Sequence, residues 1–182
     1  MEIINMNILN ESQLAQAAQM LTDELPLGWP TFADATEEVD MLLGDDEEPD
    51  ALFLTAIEDG DVIGWCGILP EYDGRVFELH PLVVRHDQQG KGVGRKLLTA
   101  VEEAAKEKGG LTLYLGADDE AAGGETSFAN ADLYDDLPKR IKEFEAGTHQ
   151  TAFYIKLGFK IVGVVPDANG KGKPDIMLAK SL

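Results

Sequence analysis

Apolar positions along the chain switch repeatedly between helical and strand spacing. The opening "EIINMNIL" (residues 2–9) predicts a strand. In "ESQLAQAAQMLTDEL" (11–25), Leu14, Ala17, Ala18 and Leu21 fall on one helical face, with Ser12 as candidate N-cap. After "LPLGWPTF" (25–32), a second short helix is predicted in "DATEEVDMLL" (34–43). Two apolar or alternating runs, "ALFLTAIE" (51–58) and "VIGWCGIL" (62–69), are joined by "DGD", which signals a hairpin. "RVFELHPLVV" (75–84) predicts another strand that must bulge or splay at Pro81, because proline has no N–H for the ladder. "GRKLLTAVEEAAKEKG" (94–109) is helical by the spacing of Leu97, Leu98 and Val101, and "LTLYLG" (111–116) is a strand. "KRIKEFEAG" (139–147) and "HQTAFYIKLG" (149–158) predict helices. "KIVGVV" (160–165) and "DIMLAK" (175–180) predict closing strands around the turn "PDANGKGKP" (166–174). The sum is a mixed α and β chain with a strand, glycine loop and helix at its centre.

Composition narrows the partners. The 182 residues suit one domain spanning 1–182, and the 44% hydrophobic fraction argues against disorder. No apolar run approaches the roughly 20 residues of a membrane span, and "MEIINMNILN" lacks a leader pattern, so a soluble cytoplasmic protein is expected. The single cysteine, Cys66, sits in an apolar strand-like run and reads as a core thiol. A net charge of -19 disfavours nucleic acid and bilayer surfaces and favours cationic partners. Much of the acid is clustered in "GDDEEPD" (44–50) and "GADDEAAGGE" (116–125), either as solvated loops or as collectors of a polycation.

The stretch "RHDQQGKGVGRKLL" (85–98) puts glycine at 90, 92 and 94 directly before the predicted helix. Bare backbone at a helix N-terminus offers N–H groups and the positive end of the helix dipole to a phosphate, although a plain flexible turn would have the same composition. It fits neither the P-loop nor the dinucleotide fingerprint: its spacing is Q-x-x-G-x-G from Gln89 to Gly94.

That motif, between a strand interrupted at Pro81 and a helix, resembles the GNAT superfamily of N-acyltransferases. "FYIKLGFKIVG" (153–163) matches the same superfamily's other region. "FELHPLVV", "GGLTLYLGADDE", "ADLYDD" and the run from Phe153 to Leu182 resemble, within it, the aminoglycoside 6'-N-acetyltransferases of Gram-positive bacteria, closely from about Phe77 to Lys180 and more loosely before, through "GWP" and "EEVDMLL".

The resemblance implies an α+β fold with a mixed central sheet, a splayed strand at the cofactor site and flanking helices. It implies acetyl-CoA as cosubstrate, no metal, a cationic amine acceptor (aminoglycoside or polyamine) and a homodimer. Cofactor contacts carried over are Leu82, Val83, Val84, Gln89, Gly90, Lys91, Gly92, Val93, Gly94 and Tyr154. The Leu82 N–H would polarise the thioester carbonyl, Val84 would pair with the pantetheine arm, and Tyr154 would hydrogen-bond or protonate the leaving thiolate, unless it is a packing residue. Acetyl transfer needs an uncharged amine, so a proton must be taken. Glu78 is the candidate base, directly or through water, or else an anchor for the cation. Glu78, His80 and Leu82 alternate along one strand and so share a face. His80 reads as substrate-side or structural, while Asp118, with Asp119 and Trp29 as neighbours, is placed to receive an ammonium group. Acetylation of a polyamine or a protein amine, and binding of acetyl-CoA without turnover, remain as alternatives.

Overall fold

In a computed structural model of the chain, residues 1–44 and 50–182 are described; most of the first acidic cluster, residues 45–49, lies outside them. Two compact units result, residues 1–111 with Leu182, and residues 112–181.

The first unit is a four-stranded antiparallel sheet in chain order. β1 (Glu2–Asn5) pairs with β2 (Leu52–Glu58), β2 with β3 (Asp61–Glu71), and β3 with β4 (Val76–Val84). β1 is shorter than its apolar pattern suggested: Asn5 turns the chain into a single 3-10 turn, Met6–Ile8, by accepting the Asn7 N–H at 2.9 Å. The β2–β3 hairpin closes through Asp59 and Gly60, both at positive φ as a two-residue turn of this kind requires.

Helix α1 (Glu11–Glu24) starts two residues earlier than Ser12 as N-cap would place it. Asn10 is the N-cap, receiving the Gln13 N–H at 3.0 Å while the Gln13 side chain accepts the Asn10 N–H at 3.2 Å. Asn competes as well as Ser for this position, so apolar periodicity could not decide between them. Helix α2 (Phe32–Gly44) contributes Ala35 and Val39 to the core formed with α1, Met6, Phe53, Val62, Trp65 and Val83. Trp65 is fully buried and its indole N–H donates to the Ala17 carbonyl at 3.1 Å, so the largest core side chain carries no orphan donor. Cys66 is buried, as its surroundings suggested, and burial pushes its thiol pKa up, well out of the reactive range.

Helix α3 (Val93–Glu107) buries Val93, Leu97, Leu98, Val101 and Ala105. It lies close to β3 because Gly64 has no side chain: a Cβ there would stand 3.2 Å from Val93 Cγ1 and from Leu97 Cδ1. Gly64 and Trp65 are neighbours on one strand and point to opposite faces, so α3 and α1 cover opposite faces of the sheet.

Between β3 and β4 the register shifts: Cys66 faces Leu82, and Ile68 faces Leu79. Gly67 therefore opposes both His80 and Pro81, a two-against-one bulge at the proline that the sequence marked. Gly67 fits because a Cβ there would lie 2.4 Å from the His80 carbonyl oxygen and 2.4 Å from Phe53 Cδ1.

The second unit has β7 (Asp175–Ser181) between β5 (Thr112–Asp118) and β6 (Lys160–Val165), all antiparallel. Its helices are shorter than predicted. α4 (Leu137–Lys142) ends within "KRIKEFEAG", since Phe144 leaves the helix to meet the buried Phe128 ring edge to face at 4.7 Å. α5 (Thr151–Lys156) starts two residues after His149.

Gly67→Ala tests the bulge. The overpacking should cost about 1–3 kcal/mol, read as a fall in melting temperature of roughly 3–10 °C for a chain of this size. An unchanged melting temperature would mean the bulge does not need the glycine.

Candidate active site

Burial along β4 alternates: Phe77, Leu79, Pro81 and Val83 are buried, while Glu78, His80, Leu82 and Val84 are half-buried. Glu78, opposite Leu69 of the α1–α2 core, and His80, against Glu38 of α2, share one face. Beyond the bulge the Leu82 side chain, opposite Cys66, turns to the α3 face with Gly64, so the three side chains expected to share a face do not all do so. The Glu78 carboxylate has no hydrogen-bond or ion-pair partner among the described residues, so it is uncommitted within the first unit. His80 Nε2 lies 3.2 Å from Glu38 Oε1 of α2, and the Trp29 ring stands 6.0 Å from the His80 ring, centroid to centroid and tilted by 58°. Because a carboxylate only accepts, His80 Nε2 carries the proton in this pair.

Backbone direction on β4 follows from one hydrogen bond. The Arg85 N–H donates to the Ile63 carbonyl at 3.1 Å, which makes Ile63 and Arg85 a hydrogen-bonded pair of an antiparallel ladder. Such pairs alternate, so with Gly64 facing Val84, Trp65 facing Val83 and Cys66 facing Leu82, the backbone groups of Leu82 and Val84 point away from β3. The Val84 carbonyl agrees, accepting the Gln89 side-chain amide at 3.0 Å.

The glycine loop follows. Gly90 and Gly92 adopt φ of 72° and 86°, which a side chain would disfavour, and a Cβ at either would meet nothing within 4 Å. Gly92 is the N-cap of α3, and among the described residues no side chain caps that helix end. The first N–H groups of a 15-residue helix thus open onto bare backbone. In a chain of net charge -19, this segment is locally basic, with Arg85, Lys91, Arg95 and Lys96 against Asp87 alone between residues 85 and 96. Arg85 and Asp87 pair at 2.6 Å. Their hydrogen bond raises the arginine pKa and lowers that of the exposed carboxylate. The donor set, the positive helix end and the open space fit an anionic, extended ligand of the pyrophosphate kind.

Glu24, at the end of α1, holds the loop in place. Its carboxylate accepts the His86 backbone N–H at 2.6 Å and the Gln89 side-chain amide at 2.8 Å. The Gln89 side chain is therefore a strut between Glu24 and the Val84 carbonyl.

In the second unit, Asp118 ends β5 exposed, with Asn169 Nδ2 donating to its Oδ1. The buried His149 donates from Nε2 to the Asp118 carbonyl at 3.0 Å, and its Nδ1 lies 3.2 Å from Thr151 Oγ1. Asp119 is wholly buried, and its two oxygens accept the Glu125 and Thr126 N–H groups, each at 2.8 Å. It organises the loop that follows rather than facing outward beside Asp118. Tyr154 is buried on α5 with its ring against Phe153 at 5.2 Å and Phe159 at 5.6 Å. Among the described residues, no group of three or more His, Cys, Asp or Glu side chains is placed to hold a metal ion, and no helix is long and apolar enough to cross a membrane.

The family model described as "Acetyltransferase (GNAT) family" matches residues 14–124. The chain belongs to the GNAT acetyltransferase family. This acetyltransferase has the GNAT fold of a solved aminoglycoside 6'-N-acetyltransferase complexed with coenzyme A, at TM-score 0.88 and 33% identity over 100% of this chain and 97% of that one. It is 34% identical over 94 residues to an aminoglycoside N(6')-acetyltransferase type 1 of Stenotrophomonas maltophilia, covering 47% of this chain and 60% of that protein. It is also 32% identical over 115 residues to an IAA acetyltransferase of Azospirillum brasilense, covering 61% and 72%.

Three residues of the acetyltransferase that shape these sites were missed in the sequence: Glu24, Glu38 and His149. Their partners lie 62 and 65 residues away for Glu24, 42 for Glu38 and 31 for the Asp118 carbonyl. The cluster of basic residues around the glycines was a signal within reach.

Glu24→Ala removes two charge-assisted hydrogen bonds, each worth roughly 1.5–3 kcal/mol. Hydrogen exchange at the His86 amide should accelerate by tenfold or more in that variant, by order of magnitude. Unchanged exchange would mean the loop is held without the carboxylate.

Proposed function

We propose that this acetyltransferase transfers the acetyl group of acetyl-CoA to the 6'-amino group of an aminoglycoside. Full-length similarity to a solved aminoglycoside 6'-N-acetyltransferase complexed with coenzyme A supports the substrate class. The observation that carries the chemistry is the face of β4, where a half-buried, uncommitted Glu78 shares a strand with backbone groups directed away from β3.

Acetyl-CoA supplies an activated acyl group on a thiol leaving group. The α3 N-terminus with Gly90 to Gly94 would receive its pyrophosphate, and the Val84 N–H would pair with the pantetheine arm, the Val84 carbonyl being taken by Gln89. Leu82 N–H would donate to the thioester oxygen, where negative charge grows as the amine attacks. A sugar ammonium must first lose a proton, and Glu78, with no partner for its carboxylate among the described residues, takes it directly or through a water. Tyr154 would donate to the thiolate as it leaves. Asp118 would hold a second ammonium of the acceptor, with Asp119 holding its loop and Trp29 and His80 forming a wall of the acceptor site.

Thiol release from acetyl-CoA, measured with kanamycin, spermidine and a lysine peptide in parallel, tests the reading. Kanamycin should give the highest kcat/KM. A higher value for spermidine or the peptide would move the acceptor class, and no release with any of them would leave an acetyl-CoA binder. In the same assay Glu78→Gln should lower kcat about 10² to 10⁴-fold with the KM for acetyl-CoA little changed. Turnover within about twofold of wild type across pH would remove Glu78 as base.

A further inference from the structure

We propose that Glu38 is a positioning residue of the acceptor site, acting through His80. The proposal rests on the acceptor reading above and deepens it.

His80 sits on the β4 face that also presents Glu78, and its ring is held between two groups from outside the strand. Glu38 of α2 takes the Nε2–H at 3.2 Å, and Trp29 lies 6.0 Å away, centroid to centroid. Glu38 is well placed to hold the ring: only 17% of its side chain is exposed, against 37% for His80, so the carboxylate is fixed while the imidazole reaches solvent. A partly buried carboxylate needs a donor, and no residue other than His80 donates to Glu38 among the described residues.

This contact decides what His80 can offer. With Nε2–H committed to Glu38, the neutral ring keeps Nδ1 as an acceptor, and Nδ1 has no hydrogen bond to the described residues. A polyamine or amino sugar is rich in N–H and O–H donors, so a fixed acceptor beside an aromatic wall suits it. Loss of Glu38 would free the ring to rotate and to adopt the other tautomer, which presents a donor instead. An α2 residue would in this way set the chemistry of a β4 side chain without touching the acceptor itself.

The test combines kinetics with a readout that needs no substrate. Glu38→Ala and His80→Ala should each lower kcat/KM for kanamycin by about tenfold or more, chiefly through KM, with the KM for acetyl-CoA unchanged. The double variant should be no worse than His80→Ala alone, and Glu38→Gln, whose side-chain oxygen still accepts the Nε2–H, should recover to within about threefold of wild type. Single-variant losses that multiply in the double variant would show that Glu38 meets the acceptor directly and would overturn the proposal. So would an equal rise in the KM for acetyl-CoA. Nitrogen-15 spectra of the three histidines supply the second readout. At a pH where the rings are neutral, His80 should be protonated at Nε2 in the wild type and mixed between tautomers in Glu38→Ala; the same single tautomer in both would overturn it. If the wild type does not turn over kanamycin, the acceptor reading fails, while the spectra still decide whether Glu38 sets the state of His80.

Discussion

The site in the first unit depends on one packing constraint: Gly67 lies beneath the His80 carbonyl and the Phe53 ring with no room for a single added carbon. A side chain there would push β4 off its neighbour at the point where two residues, His80 and Pro81, must be accommodated opposite one. With the bulge in place, proline occupies a position where no ladder donor is required. The strand beyond it keeps a register in which Leu82 and Val84 aim their backbone groups outward from β3. The inserted residue leaves Glu78 and His80 on the α2 side of β4 and turns the Leu82 and Val84 side chains to the α3 side. The Leu82 and Val84 backbone groups stay directed away from β3, so acid, imidazole and backbone donors follow one another along a single strand.

Downstream, the same strand feeds a loop whose shape is fixed at both ends. Gly64 admits α3 to van der Waals distance of the sheet, and Glu24 ties His86 and Gln89 to the end of α1. What remains between these anchors is bare backbone at a helix N-terminus with basic side chains around it. An acidic chain would repel an anionic cosubstrate over most of its surface, and at this segment the local charge reverses.

Much of this was legible in the sequence because it rests on local signals. Proline within an alternating strand announced the bulge, glycine at every second position announced the loop, and period-two spacing put Glu78 and His80 together. Where local signals were degenerate, the reading erred. Asn10 and Ser12 are equally good caps, and "KRIKEFEAG" has helical composition that tertiary packing of Phe144 on Phe128 overrides. Asp118 and Asp119 look alike in sequence, yet at the end of β5 one faces out and the other turns inward to two backbone N–H groups. The carboxylates of Glu24 and Glu38 sit among 34 acidic residues, and only the fold distinguishes them from solvated ones.

The central claim is that the backbone N–H groups from Gly90 to Arg95 receive the pyrophosphate of coenzyme A. Its most direct test is a titration of the nitrogen-15-labelled protein followed by backbone amide shifts, with coenzyme A in one series and pantetheine, which lacks the pyrophosphate, in another. Coenzyme A should move the Gly90, Gly92, Gly94 and Arg95 amides most strongly, and pantetheine should leave those four near their starting positions while shifting Leu82 and Val84. Coenzyme A binding that leaves the four loop amides unmoved would contradict the account.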